Sequence, residues 1–239
     1  MLKNILIIIT LFIVGMAGGI FAEQIFWPYF IERPLLYQYK LEQAPVYVTE
    51  TKQSVVQENV ALTNAIEDVE KIAVGVRTKL KTGKVLEGSG LIVSSDGLAV
   101  TFANLVPEGG QTTLFWEGEK PSFQILKRDS KVNLALIKIE KSSLPTVGFA
   151  DADSIKLGER VFLVGIIFGT DATPGKITNE GIIKTFDDNQ IKTNIFEKSN
   201  LSGSPLFDIE GKVLGLNAID SEGKVIAVSA KKIREFIGF

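Results

Sequence analysis

The stretch Asn200-Leu201-Ser202-Gly203-Ser204-Pro205-Leu206 decides how this chain is read. A serine followed by glycine, with a proline and an apolar residue just beyond, has the form of a loop that presents a hydroxyl nucleophile ahead of a strand. A serine hydroxyl attacks poorly until a neighbouring base takes its proton, and in acyl-transfer sites that base is most often an imidazole. The chain has 239 residues and no histidine. The loop therefore offers a nucleophile position without its usual base.

Outward from this loop, Ile209-Glu210-Gly211-Lys212-Val213-Leu214-Gly215-Leu216-Asn217 has the pattern of a hairpin turn and the strand after it. From Ile72 onward the sequence keeps this texture, with short apolar-alternating runs such as Ile72–Thr78, Leu134–Ile139, Arg160–Val164 and Val225–Ser229. Turn signals, among them Ser95-Asp96-Gly97 and Glu222-Gly223, separate the runs at short spacing, which predicts an antiparallel barrel or sandwich. About a dozen strands suit two small barrels better than one, and Lys231–Phe239 reads as a terminal helix. The expected fold class is all-β, two antiparallel six-stranded barrels, preceded by a transmembrane helix and a short helix.

Two earlier segments carry the reading further. Glu87-Gly88-Ser89-Gly90-Leu91-Ile92-Val93-Ser94-Ser95-Asp96-Gly97 runs on to Val100-Thr101-Phe102-Ala103-Asn104-Leu105-Val106, and Arg128-Asp129-Ser130-Lys131-Val132-Asn133-Leu134-Ala135-Leu136 follows. Together with the Ser202 loop, these segments in this order resemble the trypsin-like proteases of the HtrA (Deg) family. The resemblance covers about Ile72 to Phe239. It puts Ser202 at the nucleophile position, Asn104 where the catalytic His would stand, and Asn133 where the Asp that orients it would stand. It also implies an oxyanion hole from the backbone N–H groups of Asn200 and Ser202, and a primary side-chain pocket lined by Phe196. Phe196 would fill that pocket or make it shallow, and core packing is the alternative. Many family members carry a PDZ domain, for which this chain, ending at Phe239, leaves no room, so capture by such a module is not expected.

An Asn amide has no proton-accepting site with a pKa near neutrality, so Asn104 cannot serve as general base for Ser202. A pairing of Asn104 with Asn133 is expected to satisfy both amides. Lys198, four residues before Ser202, is the one alternative base of the Ser-Lys kind, against its reading as a solvated loop lysine. The reading that follows is an HtrA-like pseudoprotease that binds or scaffolds polypeptides in extended conformation by β-addition. An active serine endopeptidase with an unconventional base, and a structural envelope interaction module, are the alternatives.

Lys and Arg number 26 against 28 Asp and Glu, a net charge of −2 with no long run of one sign, so no footprint for nucleic acid is present. With neither Cys nor His, zinc sites built on those ligands, cysteine catalysis and disulfides are excluded. No metal and no cofactor is expected.

The run Ile5–Ala22 carries no charge and is long enough for a helix to cross about 30 Å of hydrocarbon. Phe26, Trp27, Tyr29 and Phe30 follow it as an interfacial aromatic belt. A cleaved signal peptide is the alternative, with a weak exit at Ala17, Gly18 and Gly19. Lys3 before the span favours the amino terminus inside, leaving the rest extracytoplasmic. Residues 1–30 are thus read as the anchor and 72–239 as the double barrel. Between them, 31–71 hold a stalk and a short amphipathic helix within Glu58–Lys71. That helix packs on the barrels or, alternatively, joins stalks into a homo-oligomer.

Overall fold

The computed structural model describes residues 2–24, 27 and 60–238. The stalk expected over 31–57, with Phe26, Tyr29 and Phe30 of the aromatic belt, lies outside the described residues. The chain divides into two units, Met1–Val56 and Gln57–Phe239.

In the first unit, helix α1 (Leu2–Phe21) is apolar on every face. Its side chains are exposed among the described residues: Leu11 is 67% exposed and Phe12 69%. The Thr10 hydroxyl is satisfied within the helix by the Leu6 carbonyl at 2.8 Å. The span Lys3–Gln24, 22 residues, is long and apolar enough to cross a membrane. At about 1.5 Å per residue it reaches about 33 Å. A secretion signal meets the same criterion.

The second unit begins with helix α2 (residues 60–69), whose Ala65 and Val69 are buried in the core while Val60 is exposed. This helix therefore packs on the sheets and belongs to their unit. Twelve strands follow: β1 (Ala73–Lys79), β2 (Val85–Ile92), β3 (Leu98–Phe102), β4 (Gln111–Phe115), β5 (Phe123–Asp129), β6 (Leu134–Ile139), β7 (Arg160–Phe168), β8 (Pro174–Phe186), β9 (Gln190–Phe196), β10 (Ser204–Asp208), β11 (Val213–Ile219) and β12 (Lys224–Ser229). Helix α3 (Ala230–Ile237) closes the unit. It is capped by the Ser229 side chain, which accepts from Lys232 N–H, and stopped by left-handed Gly238.

The strands form two six-stranded antiparallel sheets, as the alternation predicts. The C-terminal sheet, in the order β10-β11-β12-β9-β8-β7, closes into a barrel. The N-terminal one, β4-β1-β2-β3-β6-β5, is a half-barrel whose edges β4 and β5 do not pair. A register shift between Ile125 and Lys127 interrupts the ladder of β5.

Strand β7 shows why the two sheets stay together. Its run Val161–Ile166 is buried throughout, because successive side chains enter different cores. Val161 and Leu163 fill the closed barrel, whereas Phe162 and Val164 join the core shared with the half-barrel. Phe162 stacks on Phe207 of β10 with ring centroids 5.2 Å apart. Lys127 of β5 reaches the Phe236 carbonyl of α3 at 2.9 Å, which fastens the terminal helix to the half-barrel.

Candidate functional site

Strand β3 runs straight into a single 3-10 turn, Ala103–Leu105, because Phe102, Ala103 and Leu105 are all drawn into the core. Asn104 is left exposed at its tip. Asn133 sits just before β6 with φ +54, a left-handed conformation that Asn tolerates better than most residues. From there it holds the turn twice. Its carbonyl accepts from Ala103 N–H at 3.1 Å and its Oδ1 accepts from Asn104 N–H at 3.0 Å. The bond from Asn133 thus goes to the backbone of Asn104; among the described residues the exposed Asn104 side chain makes no hydrogen bond, so the side-chain pairing expected from the sequence does not form.

The Ser202 loop reaches the same place from the other sheet. The Ser202 carbonyl accepts from Ser89 N–H at 2.8 Å, and Gly203 N–H donates to the Asn217 carbonyl at 2.7 Å. Gly203 has φ +85, and a Cβ there would lie 2.1 Å from the Ser89 carbonyl oxygen, so only glycine fits. Gly88 is the meeting point. A Cβ on it would touch both the Ser202 carbonyl oxygen, at 2.5 Å, and Leu105 next to Asn104, at 2.6 Å. The Asn104 turn, which Asn133 holds, and the Ser202 loop therefore meet at the middle of β2.

Buried polar groups fix this junction. Ser89 is fully buried, and its hydroxyl accepts from Ile166 N–H of β7 at 2.9 Å. Its carbonyl accepts from the Thr101 hydroxyl at 2.6 Å. Ser204, also fully buried, accepts from Asn217 Nδ2 at 3.2 Å. Asn217 Oδ1 is the one buried side-chain polar atom without a partner among the described residues.

Asn200 is pinned in a way that no local pattern announces. Its side-chain Nδ2 donates to the Glu87 carbonyl of β2 at 2.5 Å. The following N–H, of Leu201, turns back to the Ser199 carbonyl at 2.9 Å and closes a three-residue turn on Asn200. Among the described residues, neither the Asn200 nor the Ser202 N–H donates a hydrogen bond.

Candidate bases are few. Lys198 is exposed and makes no hydrogen bond to Ser202 among the described residues. Glu197, which the sequence reading did not single out, lies close to the loop. Burial works against its carboxylate, but Ser199 N–H at 2.9 Å and Asn179 Nδ2 at 3.1 Å outweigh it and hold the pKa below the ordinary value. A carboxylate so stabilised is a poor proton acceptor near neutrality. Phe196 is 54% exposed, which excludes core packing. Its ring rests on the β11–β12 turn, where a Cβ on Gly223 would come within 2.8 Å of it.

Residues 88–216 match the model of the trypsin-like peptidase domain. The chain belongs to the trypsin-like peptidase family. Among its relatives is a protein of Chlamydia pneumoniae described as "Probable periplasmic serine endoprotease DegP-like", 32% identical over 148 residues, which cover 59% of this chain and 30% of that protein. A namesake in Halomonas elongata is 32% identical over 137 residues, 55% of this chain and 29% of that protein. The HtrA-like family suggested by the motifs is thus the one found, although the chain spans less than a third of the length of these relatives. Among solved structures, the HtrA-type protease AlgW with a tripeptide superposes with a TM-score of 0.65 at 23% identity, covering 74% of this chain and 62% of that one. At that identity the likeness speaks for the fold.

Proposed function

We propose that this HtrA-like chain is a membrane-tethered, extracytoplasmic pseudoprotease that holds polypeptides in extended form. The observation that carries this reading is the pair Asn104 and Asn133 at the positions of base and orienting acid, in a chain with no histidine. Neither amide accepts a proton near neutral pH, and a serine without a base contributes little to acyl transfer. Ser202 is then a retained hydroxyl in a loop kept for its shape. Support for binding comes from the strand edges around it. Strand β11 extends past the start of β10, since the pairing of the two begins at Ser204↔Asn217 while β11 continues to Ile219. Extended peptides add to such an edge through backbone hydrogen bonds. The AlgW structure contains a tripeptide. Helix α1 supports tethering, and the DegP-like relatives are described as periplasmic.

The experiment is fluorophosphonate labelling and casein cleavage with full-length protein in detergent. No labelling of Ser202 and no cleavage are expected, and Ser202→Ala should change neither. Cleavage that disappears in Ser202→Ala would overturn the reading. For the anchor, the full-length protein should remain in the membrane fraction after a carbonate wash. Recovery of a form beginning near Glu23 would show instead that α1 is a cleaved signal.

A further inference from the structure

Two strand edges flank the Ser202 loop, and the Asn200 side chain closes one of them while the other stays open. On the closed side, residues Val85–Ser89 of β2 pair with β1 along one edge, while the β2–β3 ladder includes only Gly90, Leu91 and Ile92. The other edge of this half-strand thus has no strand partner. Ser89 N–H and the Glu87 carbonyl face that edge, as the alternation of an antiparallel strand requires. The first is taken by the Ser202 carbonyl and the second by Asn200 Nδ2. On the open side, Gly203 N–H binds the Asn217 carbonyl and Asp220 N–H turns to Lys224 on the opposite side. By the same alternation Ile219 directs its N–H and C=O to the unpaired edge.

Strand polarity says what fits. A peptide antiparallel to β11, which runs from Val213 to Ile219, travels toward Ser202 with its carboxyl end leading. To continue past Ser202 it would next run antiparallel to β2, from Ser89 toward Val85, and would need the Glu87 carbonyl that Asn200 occupies. A chain that stops at Ser202 needs nothing from that edge. Its terminal carboxylate meets the N–H groups of Asn200 and Ser202, which have no acceptor among the described residues, and charged acceptors make the stronger hydrogen bonds with such donors.

We propose that Asn200 is a specificity-determining plug, and that the open edge of β11 takes the free carboxyl terminus of a polypeptide while a chain that runs on past Ser202 is rejected. This rests on the peptide-binding reading above, and the test separates the two. Full-length protein in detergent micelles is immobilised and offered two pools of one randomised decapeptide library. The first pool has free carboxyl termini. The second carries the same sequences extended by a Gly-Ser tail and closed as C-terminal amides. Wild type should retain the first pool about tenfold better than the second. Asn200→Ser and Asn200→Ala, checked by thermal melting, should retain the second pool at least about threefold better than wild type does, with the first pool little changed. Ile219→Pro, which removes the N–H facing the open edge, should lose both pools. Equal retention of the two pools by wild type would overturn the plug while leaving peptide binding in place. A second pool retained no better by either folded Asn200 variant than by wild type would overturn the role of Asn200. Retention of neither pool by any folded form, or of both by Ile219→Pro, would remove the peptide-binding reading and the plug with it.

Discussion

Replacing Gly88 by alanine tests whether the Asn104 turn and the Ser202 loop are held against β2 as tightly as the geometry says. A Cβ at this position would lie 2.5 Å from the Ser202 carbonyl oxygen and 2.6 and 3.1 Å from the two Leu105 methyl carbons. Contacts of this kind are comfortable only at about 3.5 Å, so the Ser202 carbonyl has to retreat by about 1 Å. That movement pulls it off Ser89 N–H, which it meets at 2.8 Å, and Ser89 is too buried to find water instead. The lost hydrogen bond costs about 1 kcal/mol and the overpacking about 1–3 kcal/mol. Against this, alanine reduces the freedom of the unfolded chain by about 0.4–1 kcal/mol. The net is a destabilisation of about 1–3 kcal/mol, which for a domain of this size lowers Tm by about 2–12 °C. Calorimetry or circular dichroism of full-length protein in detergent reads it directly. Gly175→Ala in β8 is the matched control, because its nearest neighbour there, Ile167 Cγ1, is 3.8 Å away, an ordinary contact. Gly175→Ala should melt at or slightly above wild type. A Gly88→Ala protein that melts within about 1 °C of wild type would show that the two loops are not packed against β2 in this way.

Asn133→Ala should destabilise by about 1–3 kcal/mol in urea unfolding, since it removes the acceptor for Asn104 N–H and puts alanine at φ +54. Asn133→Asp, which keeps the acceptor, should unfold close to wild type; equal loss in both variants would deny Oδ1 its role. Burial pushes the Asp208 carboxyl above its ordinary value, although the Lys212 and Glu210 N–H groups both bind it and work the other way. A folded-state pKa above the unfolded one contributes stability that is present below the unfolded pKa, near 3.9, and is lost as pH rises through the folded one. Asp208→Asn, which retains Oδ1, should therefore be more stable than wild type at about pH 7, with the difference shrinking toward about pH 4. A difference that is constant with pH would contradict this.

The sequence by itself determined the elements and the family. Apolar alternation is a local property, and the runs Ile72–Thr78, Leu134–Ile139, Arg160–Val164 and Val225–Ser229 fall on β1, β6, β7 and β12, with the terminal helix at Ala230–Ile237, while the full lengths of strands such as β2 and β8 did not follow from alternation. The ordered segments around Asn104, Asn133 and Ser202, together with the absence of histidine, were equally visible, because residue identity fixes whether a side chain can take a proton. What only the tertiary structure decided are contacts between residues far apart in the chain. Ser89 meets Ile166 across 77 positions and Asn200 meets Glu87 across 113. Each depends on how two sheets dock, which no local period encodes. The same holds for the half-barrel left open between β4 and β5, where alternation shows that strands exist but not whether the last ladder closes. It holds as well for Phe196, an aromatic residue whose place in core or surface is set by what packs over it, here a glycine turn and solvent.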